Sequence, residues 1–134
     1  MKRILSLLMV AIWLTAACGL HAAKPGTGAS VEFEEKAHDF GTIREADGTV
    51  THVFGFTNTG SSPLVIISAT ASCGCTHPKY SPEPVKPGEK GSISVSYNPA
   101  HRPGEFDKTI KVRTNDPKHK RVNLRITGIV IPAK

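Results

Sequence analysis

The chain has 134 residues, 39% of them hydrophobic, with 17 lysines and arginines against 11 aspartates and glutamates for a formal charge of +6. That length admits one domain once targeting sequence is set aside. Without Lys2 and Arg3 the charge falls to +4 (15 basic minus 11 acidic residues), a modest excess that suits solubility or an anionic envelope surface and gives no reason to expect nucleic acid.

Met1, Lys2 and Arg3 precede an apolar run over residues 4–17, broken only by Ser6 and Thr15, and the small residues Ala16, Ala17 and Gly19 follow. A basic start, a short apolar centre and a small-residue exit predict a secretory signal peptide over residues 1–23. The run falls short of the ~20 apolar residues of a membrane span. Thr15-Ala16-Ala17-Cys18 resembles the lipobox of bacterial lipoproteins, with Thr15 where that pattern usually has leucine. Cys18 is therefore a candidate lipidation site, and cleavage near Ala22 or Ala23 is the alternative. Residues 24–30, rich in glycine and small polar side chains, read as a flexible tether. Export places Cys73 and Cys75 in an oxidising compartment, where thiols tend to become disulfides.

After the tether, Val31 and Phe33 alternate with Glu32 and Glu34 in a first strand reaching Ala37, continued after a break over residues 38–43. Asp47-Gly48 is a turn signal. Val50, His52, Phe54 and Phe56 share one face of the next extended segment, which residues 58–63 close with turn chemistry. Residues 64–71 form a short apolar run, consistent with a strand buried in a core. Pro78, Pro82, Pro84 and Pro87 mark a loop, or at most an edge strand. Ile93, Val95 and Tyr97 alternate in a further strand. Phe106, Ile110 and Val112 do so in another, with Lys108 on its inner face, and Asn115-Asp116-Pro117 turns the chain. Val122, Leu124, Ile126, Gly128 and Val130 complete the pattern. No helical period follows the signal. These strands predict an all-β, two-sheet antiparallel sandwich of about seven to eight strands over residues 31–132.

Ser72-Cys73-Gly74-Cys75-Thr76-His77-Pro78 is the stretch that looks like chemistry. Extended backbone puts Cys73, Cys75 and His77 on one side, and Pro78 favours that conformation at His77. Three readings follow. A disulfide, or redox-active pair, needs a tight ring that Gly74 could permit. Two thiolates and an imidazole suit copper or zinc; a structural zinc site wants a fourth ligand, for which His38, His52 and His101 are available through the fold. The third reading is two small cysteines packing a strand end. Thioredoxin-type chemistry needs two intervening residues and a helix start, and neither is present.

Elsewhere, His52 shares the inward face of Val50 and Phe54 and reads as a core histidine held by a hydrogen bond, while His119 reads as exposed. Lys111, Arg113, Arg121 and Arg125 point outward from neighbouring strands as a basic stripe. Such a stripe could meet anionic glycan, lipid head groups or an acidic partner, or serve only as a solvated face. No nucleophile motif, phosphate loop or paired-carboxylate spacing occurs.

Phe54-Gly55-Phe56-Thr57-Asn58-Thr59-Gly60, Pro63-Leu64-Val65-Ile66 and Ser72-Cys73-Gly74-Cys75-Thr76 appear in that order. Pro87-Gly88, Gly91-Ser92-Ile93, Gly104-Glu105-Phe106 and Thr114-Asn115 follow. In these the chain resembles the exported bacterial family named domain of unknown function 1573, over roughly residues 33–131. The resemblance implies an immunoglobulin-like sandwich related to Hydin-type and major-sperm-protein-type domains, whose members mostly act as binding or assembly modules. The reading that results is a non-enzymatic, exported envelope module without a cofactor. Its partner would be an envelope protein or glycan, and its one membrane contact a lipid anchor at Cys18. The alternatives are copper or zinc binding, or thiol redox chemistry, at Cys73, Cys75 and His77.

Overall fold

Every second residue of Arg121–Ile131 is buried, from Val122 through Leu124, Ile126 and Gly128 to Val130. Such alternation needs a sheet with one covered face. Eight strands build two four-stranded sheets across residues 28–134, the part of the chain that the computed structural model describes. The signal peptide expected at 1–23, Cys18 and most of the tether at 24–30 lie outside the described residues.

In chain order the strands are β1 (Val31–Phe33), β2 (Ala37–Arg44), β3 (Val50–Asn58), β4 (Ile66–Ala71), β5 (Thr76–Tyr80), β6 (Lys90–Tyr97), β7 (Gly104–Thr114) and β8 (Arg121–Ile131). One 3-10 turn, Glu45–Asp47, follows β2. The first sheet has the order β1-β3-β6-β5 and the second β2-β8-β7-β4. The chain changes sheets five times, from β1 to β2, β2 to β3, β3 to β4, β4 to β5 and β6 to β7.

Every strand pair is antiparallel except β2 with β8, which run parallel from Ala37 beside Arg125 to Arg44 beside Ile131. What reads as one interrupted strand from Val31 to Ile43 is therefore two strands in different sheets. The exposed residues Glu34, Glu35 and Lys36 carry the crossing. Local alternation is blind to this switch, because each piece keeps its own inward residues. The proline-rich segment supplies β5, an edge strand whose Pro78 sits opposite Val95 of β6.

Phe54, Leu64, Ile93, Ile110, Leu124 and Ile126 are wholly buried between the sheets, each stabilising the fold by about 1.5–3 kcal/mol relative to exposure. Two glycines make room for rings. A Cβ on Gly91 would meet Phe56 Cζ at 2.5 Å, and one on Gly128 would meet Phe106 at 2.6 Å. Phe106 in turn stacks on Tyr97 with centroids 4.0 Å apart. Burial of Tyr97 pushes its phenol pKa up.

Asn58 explains the Asn-Thr-Gly signature. Its wholly buried side chain donates to the carbonyls of Ser62 and Val85, both at 2.8 Å, and accepts from the Gly60 amide at 2.9 Å. It locks the turn after β3 to the loop before β6. The motif is structural.

Candidate functional site

Residues 72–75 form a turn rather than an extended strand, with the Thr76 amide bonded to the Cys73 carbonyl at 3.2 Å. Cys73 and Cys75 are joined by a disulfide across Gly74, their Cα atoms 5.2 Å apart. Gly74 is not in the left-handed region, and a Cβ there would meet nothing within 4 Å. The ring therefore closes without the dihedral freedom that only glycine supplies. Cys75 is buried while His77, two residues on, is exposed. The turn thus breaks the side-sharing that extended backbone would give, and Cys73, Cys75 and His77 do not converge as a ligand set. With the sulfurs bonded to each other, neither is a thiolate ligand. His101 lies in the loop after β6, its amide bonded to Glu45 Oε1 at 2.9 Å.

The basic stripe lies on the outer face of β7 and β8, and all four cations are exposed. Arg113 stands opposite Arg121, Lys111 opposite Asn123 and Arg125 opposite Thr109. Arg125 is committed to Asp107, with Nε donating to Oδ1 at 2.7 Å and a second, shorter bond from Nη2 to Oδ2. The side-chain hydrogen bond from Arg125 holds the Asp107 carboxyl below the usual range. The net positive end of the face is therefore Lys111, Arg113 and Arg121. A hollow beside them is also lined by Lys120 and Ile67.

A constellation on the opposite flank joins residues that lie apart in the chain. Glu35 comes from the crossing between sheets, His38 from β2 and His52 from β3. His38 and His52 lie flat against each other, ring centroids 3.6 Å apart and planes within 5°. Glu35 Oε1 makes a short contact with His52 Nε2. The ligating atoms of all three residues fall within 4.8 Å of one another. Phe40 meets the His38 ring edge-on at 4.7 Å, and Phe54 meets that of His52 at 4.8 Å. His52 is thus a hydrogen-bonded inward residue, but at the open flank rather than mid-core. The signal available in the sequence was that both histidines occupy inward positions of their alternating segments. What hid the group was the sheet switch that sets β2 across from β3.

Beside this group runs an unpaired strand edge. β1 covers β3 only at Phe56, Thr57 and Asn58, and the Glu34 amide adds one bond to the Gly55 carbonyl at 3.0 Å. Because backbone groups alternate sides along a strand, Thr51 and Val53 direct their N–H and C=O groups to the same side as Gly55. No described strand pairs with them there. Val53 is 54% exposed.

The model of one family, described as protein of unknown function (DUF1573), matches residues 31–130. No curated protein matches the chain. Among solved structures, a protein of unknown function from Porphyromonas gingivalis W83 is similar with a TM-score of 0.68 at 19% identity, over 77% of this chain and 47% of that one. The ASH/PapD-like domain 7 of human CEP192 has a TM-score of 0.60 at 16% identity, covering 85% of this chain and 96% of that one. The secreted serine protease VesC from Vibrio cholerae has a TM-score of 0.57 at 17% identity, and the likeness spans 80% of this chain but only 24% of the protease. At these identities the likeness is one of fold, a PapD-like, immunoglobulin-like sandwich. The chain spans about half the length of the Porphyromonas protein and a quarter of the protease.

Proposed function

The chain belongs to the DUF1573 family, and from that premise we propose that it is a non-enzymatic, exported binding or assembly module of the bacterial cell envelope. It engages a partner by strand addition at the edge of β3. The observation that carries this reading is the run of β3 before Gly55, where Thr51 and Val53 offer backbone donors and acceptors beside an exposed valine. An extended segment laid there would continue the line of β1. Main-chain hydrogen bonds would supply affinity, and pockets for alternate side chains would supply selectivity. Three exposed cations at the end of the other sheet suit an acidic protein or an anionic glycan. The basic, apolar, small-residue start supports export, with Cys18 as the lipid anchor or cleavage near Ala22 or Ala23 as the alternative.

Val53→Pro tests the reading. Proline at that position removes an amide that no described strand uses, so the sheet survives, while an added strand loses a bond and meets the ring. Retention of the chain in its envelope fraction should fall several-fold. Cys73→Ser with Cys75→Ser should leave retention unchanged. If the cysteine changes abolish retention and Val53→Pro does not, the thiol or metal reading replaces this one.

A further inference from the structure

We propose that Glu35, His38 and His52 form a binding site for a divalent late first-row transition ion of the zinc class, bridging the two sheets. Two imidazoles and one carboxylate are the donor set that such ions take. The three ligating atoms already lie within 4.8 Å of one another. A tetrahedral ion with bonds of about 2.0–2.2 Å needs them about 3.3 Å apart. Inward movement of about 1.5 Å or less therefore completes the set. Glu35 is exposed and already contacts His52, and the rings of His38 and His52 must tilt out of their parallel stack to turn their nitrogens to one point.

Aromatic carbon lies beside both imidazoles. Phe40 and Phe54 stand edge-on to His38 and His52, so both rings are backed by aromatic carbon and open towards Glu35. Three protein ligands leave a fourth position for water, the arrangement of an accessible rather than a closed site. Because β2 and β3 belong to different sheets, the ion would add a tie between the sheets at a flank where the chain crosses through residues 34–36 and again through residues 45–49. The disulfide at Cys73 and Cys75 lies on the other flank and takes no part. This site stands independently of the edge-pairing reading.

The experiment is a titration of the whole purified chain with Zn2+ against a chromophoric chelator, repeated with Co2+ to read the ligand field. The wild-type chain should bind one Zn2+ per molecule with a micromolar or lower Kd, and the Co2+ form should absorb with four-coordinate intensity. Glu35→Gln and His38→Gln should each weaken binding tenfold or more. Both side chains lie at the surface or half-buried, and unchanged urea midpoints would show that those variants stay folded. Cys73→Ser with Cys75→Ser should bind as the wild type does. No binding below millimolar Zn2+, or equal affinity in Glu35→Gln and His38→Gln, overturns the site. So does loss of binding in the cysteine variant alone.

Discussion

Val31 donates its backbone N–H to Asp116 Oδ2 at 2.9 Å, across 85 positions of sequence. Asp116 is 1% exposed, and it also accepts from the Lys118 amide at 2.8 Å and contacts His119 Nδ1 at 3.0 Å. This carboxylate latches the first strand to the turn between the last two. It also accounts for His119, half-exposed at 53% yet paired rather than idle. Because β1 is only three residues long, the latch anchors its first residue opposite Asn58, at the end of β3 away from the free edge.

Burial pushes the Asp116 pKa up, but hydrogen bonds from Val31, Lys118 and His119 outweigh it and hold the carboxyl below its ordinary range. Its folded pKa therefore lies under the unfolded value of about 3.9. The stability it confers is complete above that value and is lost as pH falls through the folded pKa. Asp116→Asn replaces an acceptor with a donor among donors and should cost about 1–3 kcal/mol at pH 7. Urea midpoints between pH 2 and 7 should show the gap between variant and wild type closing at the acid end.

Asn58→Asp keeps the shape of the side chain but removes both donors. A carboxylate oxygen would then face the Ser62 and Val85 carbonyls in a wholly buried site. The loss should be about 3 kcal/mol, at the upper end for an unsatisfied buried polar group. Urea unfolding at neutral pH measures it.

Two glycines should part company. Gly128→Ala drives a Cβ to 2.6 Å from the Phe106 ring and should destabilise by about 1–3 kcal/mol through overpacking. Gly74→Ala meets nothing within 4 Å and has no left-handed φ to strain. Its thermal midpoint should match the wild type, and the disulfide should still form.

On the basic face, Arg113→Ser with Arg121→Ser should weaken envelope association more than Arg125→Ser, because Arg125 is already paired with Asp107. The difference should shrink as salt rises, since these charges are exposed and screened. Equal loss from both changes would mean that the whole stripe acts as one surface.

Much of the fold is legible in the sequence because a strand with one covered face must alternate. Ile93, Val95 and Tyr97, and Val122 through Val130, announce their inward side without any knowledge of partners. Pairing is another matter. Nothing local distinguishes a strand that continues in its sheet from one that crosses, so the parallel β2–β8 pair is hidden behind Glu34, Glu35 and Lys36. The same crossing hides the His38–His52 stack, which exists only once β2 faces β3. The cysteine stretch misleads for the opposite reason. Its alternating reactive residues suggest extended backbone, while the Thr76–Cys73 hydrogen bond closes a turn. The free edge of β3 is likewise invisible in the sequence, because it depends on how early β1 stops.

That edge is the centre of the account, and amide hydrogen exchange at Thr51 and Val53 tests it most directly. Fragment-resolved mass spectrometry would compare the chain alone with the chain held in its envelope fraction. Both amides should exchange fast in the isolated chain, beside protected amides at Phe54 and Phe56, which face β6. In the bound chain exchange at Thr51 and Val53 should slow at least tenfold. Slow exchange in the isolated chain, or fast exchange in both states, would contradict strand addition at β3.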